Sequence, residues 1–327
     1  MKKEIEQLLT LIGDYRSGEI EPLNTETVKK WLQNFPEVSR EPILLEIVNI
    51  FGKTYINKAK VTSFLKSILE LDKLVGKSPK KFWQSANVLD IQGGGNSQKD
   101  FLEIFKTLMG EHIGMAANIN TQNDAPYIYI DDVLCSGNRI KNDIIAWLPK
   151  CPHKSIEIHI IVMALHSYGE YYATTQIQAA ASKIGKQVKI NFWRIKELED
   201  RLKYSEDSEV LRPHALPKDR RTQKYVQMLT DKGYPPNLRP VKSTFSSEIF
   251  STEEARQMLE QQFLIKGAEV LELCTNLRPS IRPLGFSGLH GLGFGAMVFT
   301  YRNCPNTLPA VFWVDSPWFP LLHRKTN

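Results

Sequence analysis

Two adjacent acidic residues follow an apolar run near the middle of the chain. The sequence YIYI at residues 127–130 predicts a buried β-strand, and Asp131 and Asp132 come directly after it. Ligands of open α/β sheets bind at the carboxyl ends of the strands, so carboxylates at this position can contact a ligand. They can accept hydrogen bonds from sugar hydroxyls or bind Mg²⁺. Asp131 and Asp132 are therefore the candidate catalytic and metal-binding residues.

Two apolar residues further on, the chain contains a stretch of small and polar residues. It comprises Cys135, Ser136, Gly137, Asn138 and Arg139, and a helix is predicted to begin near Asn138. Such a turn directs backbone N–H groups, a hydroxyl and a helix N-terminus at one position, which is an arrangement that binds phosphate. One segment thus offers partners to both the hydroxyls and the phosphate of a ribose phosphate. The alternative is that the two acids only cap the following helix.

A second polar loop lies upstream, between a predicted strand at 87–91 (NVLDI) and a predicted helix. It contains the consecutive residues Gly93, Gly94, Gly95, Asn96 and Ser97. Glycines allow a ligand to approach the backbone closely, and the free N–H groups at the start of a helix favour an anion. A triple glycine alone is more typical of a flexible turn. The two loops together favour an anion site.

The segment 127–137 resembles the fingerprint of the phosphoribosyltransferases: four apolar residues, two acids, two apolar residues and Thr-Thr-Gly. Ser136 and Gly137 are in register with that fingerprint. Cys135 replaces the first threonine, and Arg139 stands where a small hydroxyl residue usually contacts the phosphate. The upstream glycine loop is similar, in order and context, to the loop that binds pyrophosphate in these enzymes.

The resemblance implies a ligand that carries a ribose 5-phosphate group, either phosphoribosyl pyrophosphate or a nucleotide, together with Mg²⁺. It implies chemistry at the anomeric carbon. Asp131 and Asp132 would hold the ribose hydroxyls or the metal, the turn after them the 5′-phosphate, and the glycine loop the pyrophosphate. Cys135 and Arg139 favour an alternative, which is a nucleotide-sensing or scaffold protein that keeps the pocket without catalysis.

The elements around these segments alternate between strands and helices from about residue 83. Further strands are predicted at 156–165 and 188–195, each separated from its neighbours by a helical pattern. This predicts an α/β, phosphoribosyltransferase-like domain with a mostly parallel sheet over residues 83–327. His166 follows the third predicted strand and could approach the site, although a structural role is favoured.

Residues 1–76 carry helical patterns alone and predict an N-terminal all-helical module, followed by a polar linker at 76–81. Asn24 or Thr25 is expected to cap its second helix. Pro42 is expected in the first turn of its third helix, where proline is tolerated.

The last third of the chain is more irregular. Residues 199–245 are charged and interrupted by proline, and we interpret them as a connector or insertion with one helix near 223–229. Residues 246–327 are predicted to form a C-terminal extension of the α/β domain. It should contain a long helix capped by Ser251 and two strands around a turn at 303–307.

Four pieces outside the central segments resemble phosphoribosyltransferase-like proteins encoded in bacterial conflict loci, including antiphage systems. They are WLQNF at 31–35, SSEIFSTEEARQMLE at 246–260, RPSIRPLGF at 278–286 and the ending at 302–324. This resemblance implies a toxin-like effector, or effector subunit, of antiviral defence that is encoded beside a partner. A retron reverse transcriptase with its nucleic acid is one such partner.

The composition is that of a soluble globular protein, with 327 residues, 42% apolar and 24% charged residues, and a formal net charge of +6. Its four cysteines lack metal-ligand spacing, which favours a reducing, cytoplasmic setting. No stretch approaches the roughly 20 apolar residues that span a bilayer, so no membrane partner is expected. The basic residues of the connector permit a weaker interpretation as a nucleic-acid contact. They are Lys218, Arg220, Arg221 and Lys224.

Overall fold

The computed structural model describes residues 1–240, 245–274, 276–286 and 291–325. Its α-helices are α1 (Lys2–Leu11), α2 (Thr25–Leu32), α3 (Glu37–Thr54), α4 (Lys58–Leu69), α5 (Asp72–Val75), α6 (Pro79–Ser85), α7 (Ser97–Leu108), α8 (Asn138–Trp147), α9 (Ser167–Lys183), α10 (Arg220–Asp231), α11 (Glu253–Leu273) and α12 (Ala310–Trp313). Its strands are β1 (Tyr55–Ile56), β2 (Asn87–Leu89), β3 (Tyr127–Leu134), β4 (Ser155–His166), β5 (Gln187–Leu198), β6 (Ile281–Arg282), β7 (Gly285–Phe286) and β8 (Phe299–Thr300). A π-helical turn at Met109–Ile113 and 3-10 turns at Leu148–Lys150 and Leu202–Asp207 complete the regular structure. Within these ranges, none of the helices has the length and apolar content to cross a bilayer.

The chain forms two compact units. One, the sheet unit, consists of Lys58–Glu197, and the other, the split unit, combines Met1–Asn57 with Leu198–Thr326. The structure therefore groups α1 to α3 with the C-terminal third of the chain, and α4 to α6 with the sheet, where the sequence predicted a boundary after residue 76.

The sheet unit contains a four-stranded sheet in the order β2-β3-β4-β5. β3 lies in its interior and pairs in parallel with both β2 and β4, so that Tyr127 is opposite Asn87 on one side and Ile158 on the other. Helices connect the successive strands. The predicted α/β fold with a mostly parallel sheet is confirmed.

One face of this sheet is covered by α8 and α9. Side chains alternate between faces along a strand, so Tyr127, Tyr129 and Asp131 share one face of β3. The core on this face contains residues from β3, β4, α8 and α9. Among them are Tyr127, Tyr129, Ile158, Ile160, Val162, Ile140, Ile144, Ala173, Ile177 and Ala181. This apolar layer fixes the position of β3, on which the two candidate acids lie.

Two predicted boundaries in the sheet unit are corrected. The strand predicted at 127–130 continues to Leu134, because Asp131–Leu134 remain paired with β4 after β2 has ended at Leu89. The predicted linker at 76–81 is shorter, because α6 already begins at Pro79, a residue that favours the first position of a helix.

In the split unit, the Asn24 side chain caps α2 by accepting a hydrogen bond from the Thr27 N–H at 3.0 Å, as predicted. The prediction for Pro42 is wrong. α3 begins at Glu37, so Pro42 lies inside the helix, which is held by the buried face that includes Ile43, Ile47 and Ile50. Burial of this apolar face offsets the hydrogen bond that proline cannot donate.

Two predictions for the C-terminal third are also wrong. Thr252, and not Ser251, caps α11, since its hydroxyl accepts from the Ala255 N–H at 3.1 Å while Ser251 hydrogen-bonds Glu46. Of the two predicted strands, β8 forms and pairs in parallel with β1, but the second is helix α12. Its residues Ala310–Trp313 are all buried, and an unbroken apolar run has no alternation that separates a strand from a buried helix.

The four pieces that carry the narrower resemblance all belong to the split unit, and several of them are in contact. The Trp31 indole donates a hydrogen bond to the Val311 carbonyl at 2.9 Å and stacks on Phe312. Phe35 and Phe312 each contact Phe263 of α11. The first and last of these pieces, 31–35 and 302–324, therefore share an aromatic core with Phe263 of α11.

Candidate functional site

The two candidate acids lie within β3 and point to opposite sides of the sheet. Asp131 is buried on the face covered by α8, whereas Asp132 is half-buried. β2 ends opposite Tyr129, so from Asp131 onward β3 has a strand neighbour on the β4 side only. The glycine loop that follows β2 is hydrogen-bonded to this part of β3.

The Asp131 carboxylate is held by Gln92, the residue before the three glycines of that loop. Its Oδ2 accepts a hydrogen bond from the Gln92 amide at 3.1 Å, and its Oδ1 accepts one from the Asp132 N–H at 2.9 Å. Burial, together with the negative charge of Asp132, raises the pKa of Asp131 to about 7, while Ser97 and Arg139 oppose the rise. An acid with this pKa can change protonation state near neutral pH.

The glycine loop is closed by side-chain amides. The Gln98 Oε1 accepts the backbone N–H groups of Ile91 at 2.8 Å and Gln92 at 2.9 Å, and the Gln98 N–H donates to the Gln92 side chain at 3.2 Å. The Gln98 amide also donates to the Ile130 carbonyl on β3 at 3.4 Å. Gln98 thus fixes the loop to the strand immediately before Asp131.

Asp143 of α8 holds the loop from the other side. Its Oδ1 accepts the Gly93 N–H at 3.1 Å, and its Oδ2 accepts the Tyr129 hydroxyl at 2.9 Å. Burial is the largest cause that raises the pKa of Tyr129, so the phenol keeps its proton and remains a donor to Asp143. Strand, loop and helix are therefore joined through one carboxylate.

The turn after β3 packs closely on the start of α9. Gly137 has φ of +73°, and a Cβ atom there would lie 2.3 Å from the Gly169 carbonyl oxygen. A Cβ at Gly169 would lie 2.0 Å from the Cys135 carbonyl oxygen. Both positions require glycine. Ser136 accepts from the Asn138 N–H at 3.5 Å, which keeps its hydroxyl at the start of α8.

The two predicted phosphate loops meet. A Cβ atom on Gly94 would lie 3.8 Å from Nη1 of Arg139, which is exposed at the start of α8. The Asn96 side chain makes no capping hydrogen bond at the start of α7, and Gly137 has no side chain to cap α8. Gly93, Gly94 and Asn96 are exposed, whereas Ser97 is buried. The helix ends and the Arg139 charge thus provide an electropositive surface beside Asp131.

His166, in contrast, is part of the core. It ends β4, and its Nδ1 lies 3.4 Å from the Leu134 carbonyl oxygen. Burial lowers the pKa of His166 to about 4, so the ring is neutral at physiological pH. This agrees with the structural role favoured from the sequence.

Gln92, Gln98, Tyr129 and Asp143 also make hydrogen bonds in the candidate site and were missed by the sequence analysis. Asp143 carried a usable signal, because it lies three residues after the buried Ile140, on the apolar face of α8. An acid on a buried helical face needs a partner. The glutamines carried no such signal, because glutamine is common on exposed helical surfaces.

We expect Gln98→Met to loosen the glycine loop. The substitution keeps the side-chain length but removes the acceptor of two backbone N–H groups, which should cost about 1–3 kcal/mol locally. The amides of Ile91 and Gln92 should then exchange with solvent faster, as measured by hydrogen exchange. Gln84→Met, at an exposed position of α6, is the matched control. Unchanged exchange in the Gln98 variant would show that the loop is held by other contacts.

Two chain-wide comparisons complete the description of the site. The family model described as PRTase-CE matches residues 28–324, which includes every candidate site residue. A search among curated proteins finds no match.

Proposed function

Because the chain belongs to the PRTase-CE family of phosphoribosyltransferase-like effectors, we propose that its sheet unit binds phosphoribosyl pyrophosphate or a nucleotide with Mg²⁺. The observation that supports this best is the meeting of the two loops. Gly94 lies beside Arg139, and Gln92 at the start of the same loop is hydrogen-bonded to Asp131. A sugar phosphate has the matching groups, with hydroxyls for a carboxylate and phosphates for the two helix N-termini.

The 5′-phosphate and the pyrophosphate are assigned to the two helix N-termini. Ser136, Gly137 and Asn138 bind the 5′-phosphate at the start of α8. The loop from Gly93 to Ser97 binds the pyrophosphate at the start of α7. Arg139, which lies in the first turn of α8 beside the glycine loop, offsets the charge of the phosphates. Phosphate binding at helix N-termini uses free backbone N–H groups and the helix dipole, and it needs no hydroxyl at Cys135.

Asp131 and Asp132 hold the ribose hydroxyls or Mg²⁺. Carboxylate oxygens are ligands that Mg²⁺ prefers. Over the described ranges, no cluster of three or more His, Cys, Asp or Glu side chains is placed to hold a metal ion. Asp131 and Asp132 therefore suit an ion that binds one or two carboxylates and completes its coordination shell with phosphate oxygens and water, as Mg²⁺ does. When bound, the ion would neutralise charge on the pyrophosphate.

The proposed reaction takes place at the anomeric carbon. The bond from this carbon to the leaving-group oxygen breaks, a bond to an acceptor forms, and positive charge builds on the ribose ring in between. Ionised Asp131 stabilises that charge, and the loop N–H groups and Arg139 stabilise the negative charge on the leaving group. Such fixed electrostatic groups are a large source of rate enhancement because they need no reorganisation.

Isothermal titration with phosphoribosyl pyrophosphate and Mg²⁺ tests the proposal. We expect saturable heat from the wild-type protein and its loss in the double variant Asp131→Asn, Asp132→Asn. Asp124→Asn is the matched control, because Asp124 is fully exposed in the loop that precedes β3. Identical heats in the wild-type protein and the double variant would overturn the proposed site.

A nucleotide sensor or scaffold without catalysis is the second candidate function. It is favoured by the exposed Arg139 guanidinium beside Gly94, whose charge suits phosphate binding alone, and by Cys135, which lacks the usual hydroxyl. Mass analysis after incubation with phosphoribosyl pyrophosphate or cellular nucleotides separates the two functions. An enzyme yields a new product, and a sensor only retains its ligand.

The biological setting that we propose is antiphage defence in the bacterial cytoplasm, where the effector would be restrained or triggered by a partner such as a retron reverse transcriptase with its nucleic acid. Membership of the family supports the effector role. Plaque counts on cells that carry the intact locus, compared with cells in which this chain has Asp131→Asn, test the role. Equal plaque counts on both would contradict it.

A further inference from the structure

The split unit contains a cavity that is separate from the candidate site of the sheet unit. Its volume is about 720 Å³, and it lies where α10 and α11 end, beside β6. Cavities of about 300–1,000 Å³ are typical of sites for small organic ligands. The five side chains that carry the argument are Tyr225, Lys232, Tyr234, Arg278 and Arg282.

The charge on the cavity wall has one sign. Lys232, Arg278 and Arg282 line it, and no Asp or Glu is among the described residues of the wall. The C-terminal ends of α10 and α11 each contribute roughly half a negative charge. Three full positive charges exceed these two partial charges, so the wall remains cationic. The partial negative charge of the two helix ends could be neutralised by one of the three side chains, which leaves the other two positive charges for a ligand.

The wall also offers an aromatic ring and a buried hydroxyl. The Arg282 guanidinium lies 5.6 Å from the centroid of the Tyr234 ring, and this tyrosine is still 56% exposed. Burial raises the pKa of Tyr225, although nearby Arg282 opposes the rise, so its hydroxyl keeps its proton. Within the described ranges, the buried Tyr225 hydroxyl and Arg282 Nε make no well-aligned hydrogen bond, although the hydroxyl lies beside the Arg282 guanidinium. Both are donors, which suit an acceptor such as a phosphate oxygen.

Close contacts fix the wall in place. A Cβ atom on Gly291 would lie 2.2 Å from the Tyr234 carbonyl oxygen, so this glycine packs directly on the backbone that carries the ring. β6, which carries Arg282, pairs with β7, and Arg221 of α10 forms an ion pair with Glu269 of α11. Tyr234 and Arg282 are thus positioned before a ligand arrives.

We propose that this cavity is a second binding site, specific for a nucleoside diphosphate or triphosphate. The phosphates contact Lys232, Arg278 and Arg282, and the base stacks on Tyr234. A single phosphate ion would leave most of the volume unfilled and the ring unused. A nucleoside phosphate combines the anion that three cations require with the flat aromatic surface that an exposed tyrosine favours.

Titration of the full chain with ADP in EDTA tests the proposal, because EDTA removes the metal that the sheet-unit site is proposed to need. We expect saturable binding that becomes about tenfold or more weaker in the double variant Lys232→Ser, Arg278→Ser, since each lost contact to a charged group costs at least that factor. Both residues are exposed, so the fold should tolerate the change. The matched control is Arg220→Ser, Lys224→Ser, which removes two exposed charges outside the cavity and should bind ADP as the wild-type protein does.

Three further titrations decide the ligand class and the site. Pyrophosphate and adenosine should each bind more weakly than ADP, and a thymidine oligonucleotide should not bind more tightly. The variant Asp131→Asn, Asp132→Asn should keep its ADP affinity, even if it loses phosphoribosyl pyrophosphate. The proposal is overturned if ADP does not bind, or if the cavity and control variants bind ADP with equal affinity. It is also overturned if pyrophosphate binds as well as ADP, or if the oligonucleotide binds more tightly. Loss of ADP binding in the Asp131 and Asp132 variant would place the ADP in the sheet unit and overturn it as well.

Discussion

Replacing Glu260 by glutamine is expected to lower the free energy of unfolding of the split unit by about 3–5 kcal/mol. Glu260 of α11 is completely buried, and its carboxylate oxygens accept hydrogen bonds from Arg256 Nε at 3.1 Å and from Arg239 Nη2 at 3.2 Å. It also accepts the backbone N–H of Arg212 at 3.1 Å. Glutamine keeps the shape but removes the charge that balances two buried guanidinium groups, and an uncompensated buried charge is costly.

The measurement is urea unfolding together with hydrogen exchange of the α11 amides, since the chain has two compact units and a single transition is not guaranteed. Glu269→Gln is the control on the same helix. Glu269 pairs with Lys266 at 2.8 Å and Arg221 at 3.4 Å, but this pair is partly exposed and should contribute about 0–1 kcal/mol. If Glu260→Gln and Glu269→Gln lower the free energy of unfolding equally, the buried charges of Glu260, Arg239 and Arg256 do not depend on one another for stability.

This cluster also shows why the region predicted as a connector was difficult to interpret. The sequence of 199–245 is charged and interrupted by proline, and such segments are usually solvated. The structure buries Arg212 and Arg239 almost completely. Their partner Glu260 lies on a helix more than twenty residues later. Ion pairs between residues so far apart produce no recognisable pattern in the local sequence. The helix in the same region, α10, was predicted because its periodicity is local.

The site was predictable in part for a similar reason. YIYI, the two acids and the Cys-Ser-Gly turn are contiguous, so their order along the chain already places them at one edge of a sheet. The contact between Gly94 and Arg139 joins two such segments, and strand order alone brings them close. The residues that fix the loop, Gln98 and Asp143, act through hydrogen bonds to backbone N–H groups. Every residue except proline has a backbone N–H group, so the residue types of the partners do not reveal these hydrogen bonds.

The residue at which β3 ends is set by its pairing with β4, which the local sequence of β3 does not reveal. Adjacent acids disfavour a strand, so the prediction ended it at Ile130. Pairing with β4 continues through Leu134 and outweighs this preference. As a result Asp131 lies inside the sheet and is buried, whereas an acid in the turn would be solvated. The raised pKa of Asp131 follows directly from this difference.

Asp131→Asn is expected to stabilise the sheet unit at pH 8. The pKa of Asp131 is about 7 in the folded protein, against an ordinary value of 3.8. Between these values the folded state binds a proton that the unfolded state has lost, so wild-type stability falls as pH rises through this window and the loss is complete above pH 7. A difference of about three pKa units corresponds to about 4 kcal/mol, which asparagine should recover.

Urea unfolding of the wild-type protein and the variant at pH 4 and pH 8 measures this difference. The two should be similar at pH 4, where the aspartic acid is neutral like asparagine, and should diverge at pH 8. Asp132→Asn is an informative comparison, because it removes the second-largest cause of the raised pKa and should move the window to lower pH. A difference in stability between wild type and Asp131→Asn that is the same at both pH values would contradict the raised pKa of Asp131.

The same ionisation should control ligand binding in the opposite direction. If ionised Asp131 holds the ribose hydroxyls or Mg²⁺, then phosphoribosyl pyrophosphate must displace its proton below pH 7, and the affinity should fall about tenfold for each unit below that pH. Titrations at pH 6 in two buffers with different ionisation enthalpies should reveal about one released proton, and titrations at pH 8 should reveal none from this group. Affinity that does not change between pH 6 and pH 8 would mean that Asp131 binds in its neutral form, or does not contact the ligand.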